Sequence, residues 1–135
     1  MAFVQEMIAT HPLAANSGAL TSCIEACLGC GAACTACADA CLAEEQVQSL
    51  TYCIALNLDC ASVCEATGQV LLRQVAANKT IVRPIVEACI EACIVCAEEC
   101  ERHGSMHEHC RVCAEICRKC EAACRSLLTS SRNGA

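Results

Sequence analysis

Aromatic residues are almost absent from this chain of 135 residues, which has no tryptophan, one tyrosine (Tyr52) and one phenylalanine (Phe3). A core filled by aromatic rings is therefore excluded, and Ala, Val, Ile and Leu must supply the packing. A chain of this length fits one domain. We therefore expect a single domain over residues 1–135, packed from small aliphatic side chains.

Basic residues are also scarce, because nine Lys and Arg residues against fifteen Asp and Glu residues give a formal net charge of −6. A nucleic-acid-binding protein is expected to have a basic face, and these nine residues form no block. No apolar run approaches the 18 residues that span a bilayer. The N-terminal segment lacks the basic and long apolar regions of an export signal. We therefore expect a cytoplasmic protein with neither nucleic acid nor a membrane as partner.

No segment alternates apolar and polar residues with a period of two over a useful length, which argues against β-strands. Four segments have helical character instead, and they cover about residues 17–43, 45–77, 79–102 and 105–130. Long helices with short connections favour an antiparallel up-down-up-down arrangement. The sequence therefore predicts an all-α fold, an antiparallel four-helix bundle over about residues 17–130.

Short breaks between the segments contain residues that typically begin or end helices. Asn16 and Ser17, Asn78 and Ser105 are candidate N-caps, and Gly104 is a candidate helix end. Before Pro12, residues 3–10 predict a short extra helix at the N-terminus. Its apolar residues would pack on the bundle or on a neighbouring subunit.

Cysteine is the abundant residue, with 18 copies. Successive cysteines in a helical segment are three or four residues apart, except for the step of seven from Cys53 to Cys60, so their side chains share one helix face. These are the positions that leucine and isoleucine occupy in a heptad seam. In the second segment, Asn57 stands where this spacing would place another cysteine. The cysteines are Cys23, Cys27, Cys30, Cys34, Cys37, Cys41, Cys53, Cys60, Cys64, Cys89, Cys93, Cys96, Cys100, Cys110, Cys113, Cys117, Cys120 and Cys124.

Four such seams that face inward would form a tube lined with sulfur. From Cys23 to Cys41 the seam extends about 27 Å at the helical rise of 1.5 Å per residue. In the reducing cytosol these cysteines are expected to be thiols or metal ligands. Cysteines three or four apart on one helix close a disulfide poorly. A remaining alternative is that the cysteines serve only as small buried apolar residues. That alternative does not explain why all 18 lie on the inward-facing seams.

Soft thiolates select Cu(I), Zn(II) or iron–sulfur clusters. Structural zinc sites commonly take pairs of cysteines from turns, and iron–sulfur clusters favour cysteines on loops, whereas these cysteines lie on continuous helices. Cu(I) is satisfied by two or three sulfurs, and each thiolate can bridge two ions. The expected cargo is therefore Cu(I), about one ion per cysteine and on the order of 18 ions.

Other functions stay open at this point. The sequence is also compatible with a zinc or general thiol metal buffer, with an iron–sulfur electron-transfer protein, and with a thiol oxidoreductase. The last would need one cysteine with a distinctly low pKa. Because 18 equivalent thiols single out no nucleophile, and no Ser/His/Asp or paired-carboxylate site is evident, we do not expect an enzyme.

The two ends of the predicted bundle differ. At one end the seams extend into ligand-forming residues, His103, Met106 and His107, with His109 beside them and Asn57 near that end of the tube. At the other end the seams extend into Leu20, Leu71, Val82, Val86 and Leu127. We interpret the first end as the copper entrance and the second as closed. The alternatives are a polar turn with solvated histidines, and Asn57 as a neutral spacer or satisfied core residue rather than a weak oxygen ligand.

The run of cysteines from Cys23 to Cys41, the shorter runs in the other segments and the histidine-rich turn after Cys100 resemble the Csp copper storage proteins. The lack of an export signal is similar to the cytosolic branch of that family. The resemblance covers nearly the whole chain and implies a four-helix bundle filled with Cu(I)–thiolate sites. It further implies that the 18 cysteines are ligands, that His103 is an additional ligand at the open end, and that the assembly is a homotetramer. A copper chaperone or chelator is the candidate partner.

Overall fold

The structure, a computed structural model, describes residues 2–13 and 17–134 of the chain. Within these ranges its regular elements are all helical. The α-helices are α1 (Ala2–Thr10), α2 (Gly18–Leu42), α3 (Thr51–Leu72), α4 (Lys79–His103) and α5 (Glu108–Gly134). A short 3-10 helix (Val47–Leu50) precedes α3.

Helices α2 to α5 form an antiparallel four-helix bundle in which α2 packs against α3 and α5, and α4 packs against the same two helices. The antiparallel order of α2 and α5 is visible in their sulfur contacts, because Cys23 meets Cys124 and Cys41 meets Cys110. Helices α3 and α4 run antiparallel in the same way. The predicted fold is therefore confirmed, including the short N-terminal helix.

Helix α1 packs on the bundle through two residues one turn apart. Val4 and Ile8 are buried and belong to the same apolar core as the cysteines. Phe3 and Met7, each one residue before a buried position, lie on the neighbouring face and are 57% and 62% exposed. The prediction that apolar residues of this segment pack on the bundle therefore holds for one face of the helix.

Two predicted N-caps are confirmed by their hydrogen bonds. The Ser17 side chain accepts a hydrogen bond from the Leu20 amide at 3.3 Å, and the Asn78 side chain accepts one from the Thr80 amide at 2.8 Å. Gly104 ends α4 as predicted, with right-handed backbone geometry. Asn16 lies outside the described residues.

The predicted N-cap at Ser105 is wrong, because the chain makes a turn there before α5 begins. The amides of Met106 and His107 both donate to the His103 carbonyl, at 3.1 and 2.9 Å, and so extend the end of α4. The His107 carbonyl then accepts from the amides of Cys110 and Arg111. Helix α5 therefore starts at Glu108, three residues later than predicted, and it runs past residue 130 to Gly134.

The second predicted segment, residues 45–77, is shorter in the structure. Leu50 is buried at the end of the 3-10 helix, and the regular helix begins only at Thr51. Helix α3 ends at Leu72 because Arg73 has an extended backbone. The predicted segment therefore includes a 3-10 turn at one end and part of the α3–α4 connection at the other.

Helices α2 and α3 approach each other closely at two glycines. A Cβ atom added at Gly68 would lie 2.7 Å from Leu28 Cδ2, and one added at Gly31 would lie 2.8 Å from Glu65 Cγ. Both residues have ordinary helical geometry, since no described glycine has a positive φ. It is therefore the small size of glycine that permits this close packing.

Helix α2 is long and apolar enough, by length and composition, to cross a membrane. The expectation that no part of the chain reaches this limit was therefore wrong. The six cysteines of α2 contribute to its apolar character, and all six are buried inside the bundle. A buried core helix meets the same criterion, so this feature is weak support for a membrane span.

Candidate metal centre

All 18 cysteines lie in the described part of the chain, and every one is buried with a free thiol. The largest exposed fraction among them is 2%, at Cys37. Their helices present them to a common interior, as the seam spacing predicts. A disulfide scaffold is therefore not what this structure contains.

The sulfur atoms approach one another closely enough to form groups of four. Within each group the sulfur atoms all lie within 4.8 Å of one another, and each group draws cysteines from at least three helices. Four of these groups consist of cysteines alone: Cys27, Cys89, Cys120 and Cys124; Cys30, Cys64, Cys93 and Cys120; Cys30, Cys34, Cys60 and Cys117; and Cys34, Cys96, Cys113 and Cys117.

Neighbouring groups share members, which makes the array continuous. Cys120 belongs to the first and second groups, Cys30 to the second and third, and Cys34 and Cys117 to the third and fourth. Cys23 joins the first group through a contact of 3.6 Å with Cys124. We call these thirteen cysteines the inner array. Shared thiolates of this kind are able to bridge adjacent soft metal ions.

Five cysteines nearer the histidine-rich turn form what we call the outer array: Cys37, Cys41, Cys53, Cys100 and Cys110. Cys53 and Cys100 lie 3.7 Å apart, and Cys110 lies 3.9 Å from both Cys37 and Cys41. Together with His109, three of them form a further group of potential ligands, Cys37, Cys41, Cys110 and His109. This group shares no member with the four groups of the inner array.

Asn57 lies between the two arrays and is fully buried. Its Oδ1 accepts hydrogen bonds from the thiols of Cys96, Cys100 and Cys113, at 3.1, 3.4 and 3.6 Å. Its Nδ2 lies 3.9 Å from Cys53 Sγ. The amide is therefore fully partnered, as a polar residue in a core must be.

His109 is the histidine that reaches the thiols. Its Nδ1 lies 3.5 Å from Cys37 Sγ and 3.7 Å from Cys110 Sγ, while its Nε2 lies 2.9 Å from Glu44 Oε2. A carboxylate only accepts hydrogen bonds, so Nε2 carries the proton. In the tautomer with its proton on Nε2, Nδ1 is the nitrogen that faces the sulfurs and is free to bind a metal.

The other two histidines at this end of the bundle, His103 and His107, form contacts with carboxylates. His107 Nδ1 lies 2.8 Å from Glu44 Oε2, the oxygen that also binds His109. His103 Nε2 lies 2.9 Å from Glu99 Oε2, and Arg102 binds the other oxygen of this buried carboxylate. Both carboxylates thus fix the orientation of rings at this end of the bundle.

Met106 lies in the turn and is 73% exposed. Among the residues that the sequence places at this end, the structure therefore brings His109 into contact with the outer array and leaves the Met106 side chain toward solvent.

The pKa values of the thiols show how their neighbours and their burial compete. Burial is the main reason why the pKa values of Cys41 and Cys110 are raised. By contrast, a hydrogen bond with Cys100 is the largest reason why the pKa of Cys53 falls to about 3, and the charge of His103 acts in the same direction. The pKa of Cys23 falls to about 5, chiefly through its hydrogen bond with Cys124.

The opposite end of the bundle is occupied by aliphatic side chains. Leu20, Leu71 and Val86 are buried there, and Val82 and Leu127 pack against the core. Four of these residues, Leu20, Leu71, Val82 and Leu127, also line a pocket, so the end is aliphatic as the sequence predicts but not fully closed.

Sequence reasoning missed three residues of this site. Thr67 is fully buried three residues after Cys64, so the spacing of the α3 seam could have identified it. Glu99 could have been paired with His103 from their helical spacing of four. Glu44 is 63 residues from His107, and no local pattern connects the two.

The copper storage protein family model matches residues 16–129 of the chain. A solved structure of the copper storage protein Ccsp from Streptomyces lividans, loaded with 10 copper equivalents, is 50% identical in sequence and superimposes with a TM-score of 0.88. That match covers 93% of this chain and 98% of the other. The family resemblance drawn from the cysteine runs is therefore confirmed.

A second solved structure concerns copper loading to a cytosolic copper storage protein from Streptomyces lividans, with five coppers. It is 47% identical, covers 96% of this chain and 98% of the other, and has a TM-score of 0.79. A variant of Streptomyces lividans Ccsp with one histidine replaced by alanine is 53% identical over 82% of this chain and 92% of the other, with a TM-score of 0.81. A search of curated proteins found no match.

Proposed function

The chain belongs to the copper storage protein family, and from that premise we propose that it holds about one Cu(I) ion per cysteine, on the order of 18 ions, inside the bundle. The observation that carries the proposal is the sharing of cysteines between neighbouring groups of the inner array. Isolated sites of four cysteines would need separate ligands, whereas overlapping sites suit a metal that takes two or three sulfurs and bridging thiolates.

The charge of the filled bundle supports Cu(I) as the cargo. A thiol must lose its proton to bind a metal, so loading releases protons. If each Cu(I) replaces about one proton, the interior stays near neutral however many ions it holds. A divalent ion at the same ratio would add a positive charge for each site in a region where burial opposes charge.

All 18 cysteines are ligands in this proposal, and copper enters at the end where His103, Met106, His107 and His109 lie. His109 supplies a nitrogen ligand to the outer array, because its Nδ1 is already near two thiols. His103, His107 and Met106 are ligands along the approach. Asn57 is either a weak oxygen ligand or a neutral spacer.

The proposal describes a storage protein of the cytoplasm rather than an enzyme. It exchanges copper with a chaperone or chelator and needs neither nucleic acid nor a membrane. We further propose a homotetramer. Exposed apolar side chains on the outer surfaces of α3 and α4, including Tyr52, Leu58 and Val95, support such an assembly.

An anaerobic Cu(I) titration against a strong chromophoric chelator tests this function. We expect a plateau near the thiol count of 18. A plateau at about one to four equivalents would exclude bulk storage, since each ion would then occupy a separate site.

Strong visible absorption by the purified protein would indicate an iron–sulfur cluster, because Cu(I) has a filled d shell. Displacement of the copper by an equal concentration of Zn(II) would favour a zinc buffer. Sedimentation of the same samples gives the oligomeric state.

Two matched variants sharpen the titration. Cys34→Ala removes a thiol that belongs to two of the groups named above, whereas Cys23→Ala removes one at the end of the array that belongs to none of those four. We expect the first variant to lose more copper than the second, because a bridging thiolate serves two ions. Equal losses would show that the shared thiols do not bridge.

A further inference from the structure

The carboxylate of Glu44 holds two histidines by a single oxygen. Its Oε2 lies 2.8 Å from His107 Nδ1 and 2.9 Å from His109 Nε2. The two rings are neighbours, with centroids 5.7 Å apart. They belong to the α4–α5 connection and to α5, whereas Glu44 follows the end of α2. One side chain therefore joins both histidines to a different part of the fold.

The backbone of Glu44 is itself anchored to the outer array. Its amide donates to the carbonyl of Cys41 at 3.2 Å, and Cys41 belongs with His109 to one group of potential ligands. The Glu44 side chain is 31% exposed and the His107 ring only 7%, so their hydrogen bond is partly shielded from competing water. Glu44 thus starts from a fixed point beside one thiol and ends on two rings, of which His109 contacts the thiols.

The position of this carboxylate selects one nitrogen of each ring for copper. A neutral imidazole has one N–H group and one nitrogen with a free lone pair, and a carboxylate only accepts hydrogen bonds. His107 therefore donates from Nδ1 and keeps Nε2 for a metal. His109 donates from Nε2 and keeps Nδ1, the atom that lies 3.5 Å from Cys37 Sγ. The two histidines are thus held with opposite nitrogens available.

We propose that Glu44 is the positioning residue of the copper entrance, which holds His107 and His109 together in the ring forms that bind Cu(I) and so speeds the passage of copper to the outer array. This inference rests on the proposed role of both histidines as copper ligands. Glu44 acts through the two rings and does not bind the ion itself, because a carboxylate oxygen is a hard ligand and Cu(I) prefers soft ones.

Stopped-flow measurement of Cu(I) uptake tests this role. Loss of a carboxylate that orients a metal-binding histidine commonly lowers metal affinity or activity by about 10–100-fold, and we expect Glu44→Ala to lower the uptake rate by about the same factor. Glu44→Gln keeps an oxygen for the two N–H groups, so it should lower the rate less. If Glu44→Gln slows uptake as much as Glu44→Ala, the negative charge and not the placement of the rings is responsible, and the proposal is wrong.

Glu45→Ala is the matched control for charge at the entrance. Glu45 is the next residue, is exposed, and forms no ion pair within the described part of the chain. Its replacement removes the same charge without touching either ring, so the uptake rate should equal that of the wild type. A decrease as large as that of Glu44→Ala would contradict the inference.

A background without the two histidines separates positioning from direct attraction of the ion. In His107→Ala/His109→Ala the carboxylate has no ring to hold, so adding Glu44→Ala should slow uptake no further. Such comparisons isolate the coupling between residues. A further decrease by the factor that Glu44→Ala causes in the wild type would show that Glu44 acts on copper directly, and the inference would fail.

The ring nitrogens provide a measurement that needs no copper. Long-range nitrogen–proton NMR correlations of the copper-free wild type should place the proton of His107 on Nδ1 and that of His109 on Nε2, and Glu44→Ala should lose this fixed pattern. If Glu44→Ala does not fold, the wild type still decides the question, because a His107 proton found on Nε2 would refute the proposal.

The copper content at saturation tests storage separately. All 18 thiols remain in Glu44→Ala, so this variant should reach the plateau of the wild type, only more slowly. A lower plateau in the variant would mean that Glu44 is needed to hold copper rather than to admit it, which contradicts the proposal. A wild-type plateau at about one to four equivalents would instead refute the storage function.

Discussion

His109 shows why the histidine end is difficult to assign residue by residue from the sequence. Extending the α5 seam backward by steps of three and four gives Met106 and His107, but α5 does not begin until Glu108. Residues before that point belong to a turn, where helical spacing no longer determines direction. His109 lies inside the helix, next to Cys110, and its ring reaches the thiols from there.

Replacing His109 by alanine should slow the uptake of copper. The variant loses a nitrogen whose position is fixed by Glu44 and which lies near two thiols of the outer array. Loss of a residue that only orients a metal ligand commonly lowers metal affinity or activity by about 10–100-fold. Because His109 is proposed as a ligand itself, we expect its loss to lower the uptake rate by at least about tenfold. Stopped-flow absorbance of the copper–thiolate transition measures this rate.

His103→Ala is the matched control for this prediction. Its ring is bound by Glu99, and no sulfur lies within hydrogen-bond distance of it in the described residues. Because His103 is proposed only as a ligand along the approach, we expect its loss to lower the uptake rate less than the loss of His109 does. A larger effect from His103→Ala than from His109→Ala would assign the main entrance ligand to α4 instead.

At the scale of the helices, the close contact of α2 and α3 depends on glycine. Gly68→Ala places a methyl group 2.7 Å from Leu28 Cδ2 and 3.1 Å from its Cγ, so the leucine must move. Gly29→Ala meets nothing within 4 Å. Alanine favours a helix over glycine by about 1 kcal/mol, whereas overpacking costs about 1–3 kcal/mol.

We therefore expect Gly29→Ala to stabilise the copper-free protein by about 1 kcal/mol, and Gly68→Ala to be less stable than Gly29→Ala by about 1–3 kcal/mol. Denaturant unfolding followed by circular dichroism measures both values. Equal gains in the two variants would mean that Leu28 moves aside at no cost and that the helices do not need glycine at this point.

The helices themselves were predictable because their cysteines repeat at a spacing that only a helix face can satisfy. The same spacing indicated the shared interior, the gap at Asn57 and the aliphatic residues of the far end. It could not indicate where α3 begins, because the burial of Leu50 in a 3-10 turn is a tertiary contact. The contacts of Glu44 with His107, in the α4–α5 connection, and with His109, in α5, were likewise not predictable. They depend on how the ends of the helices meet in space.

At the scale of the whole molecule, the packed helices hold the thiols in groups. The antiparallel helices are complete, the sulfur atoms lie 3.6–3.9 Å from their nearest neighbours, and every described buried side-chain nitrogen or oxygen has a partner. Small zinc-binding domains, by contrast, are unfolded until the metal binds. Because the side chains of this interior find their partners within the protein itself, we expect the bundle to keep its fold as copper is added.

Copper loading should therefore leave the helix content of the protein unchanged while raising its stability. A ligand that binds only the folded state stabilises it by mass action, so the denaturant midpoint should rise as copper is added. Circular dichroism at each step of a Cu(I) titration, with the protons released measured in weak buffer, tests both statements at once. We expect a constant helical signal and about one proton per copper. A helical signal that grows with copper would mean that the copper-free chain is partly unfolded and that the metal, rather than the apolar and thiol packing of the four helices, builds the bundle.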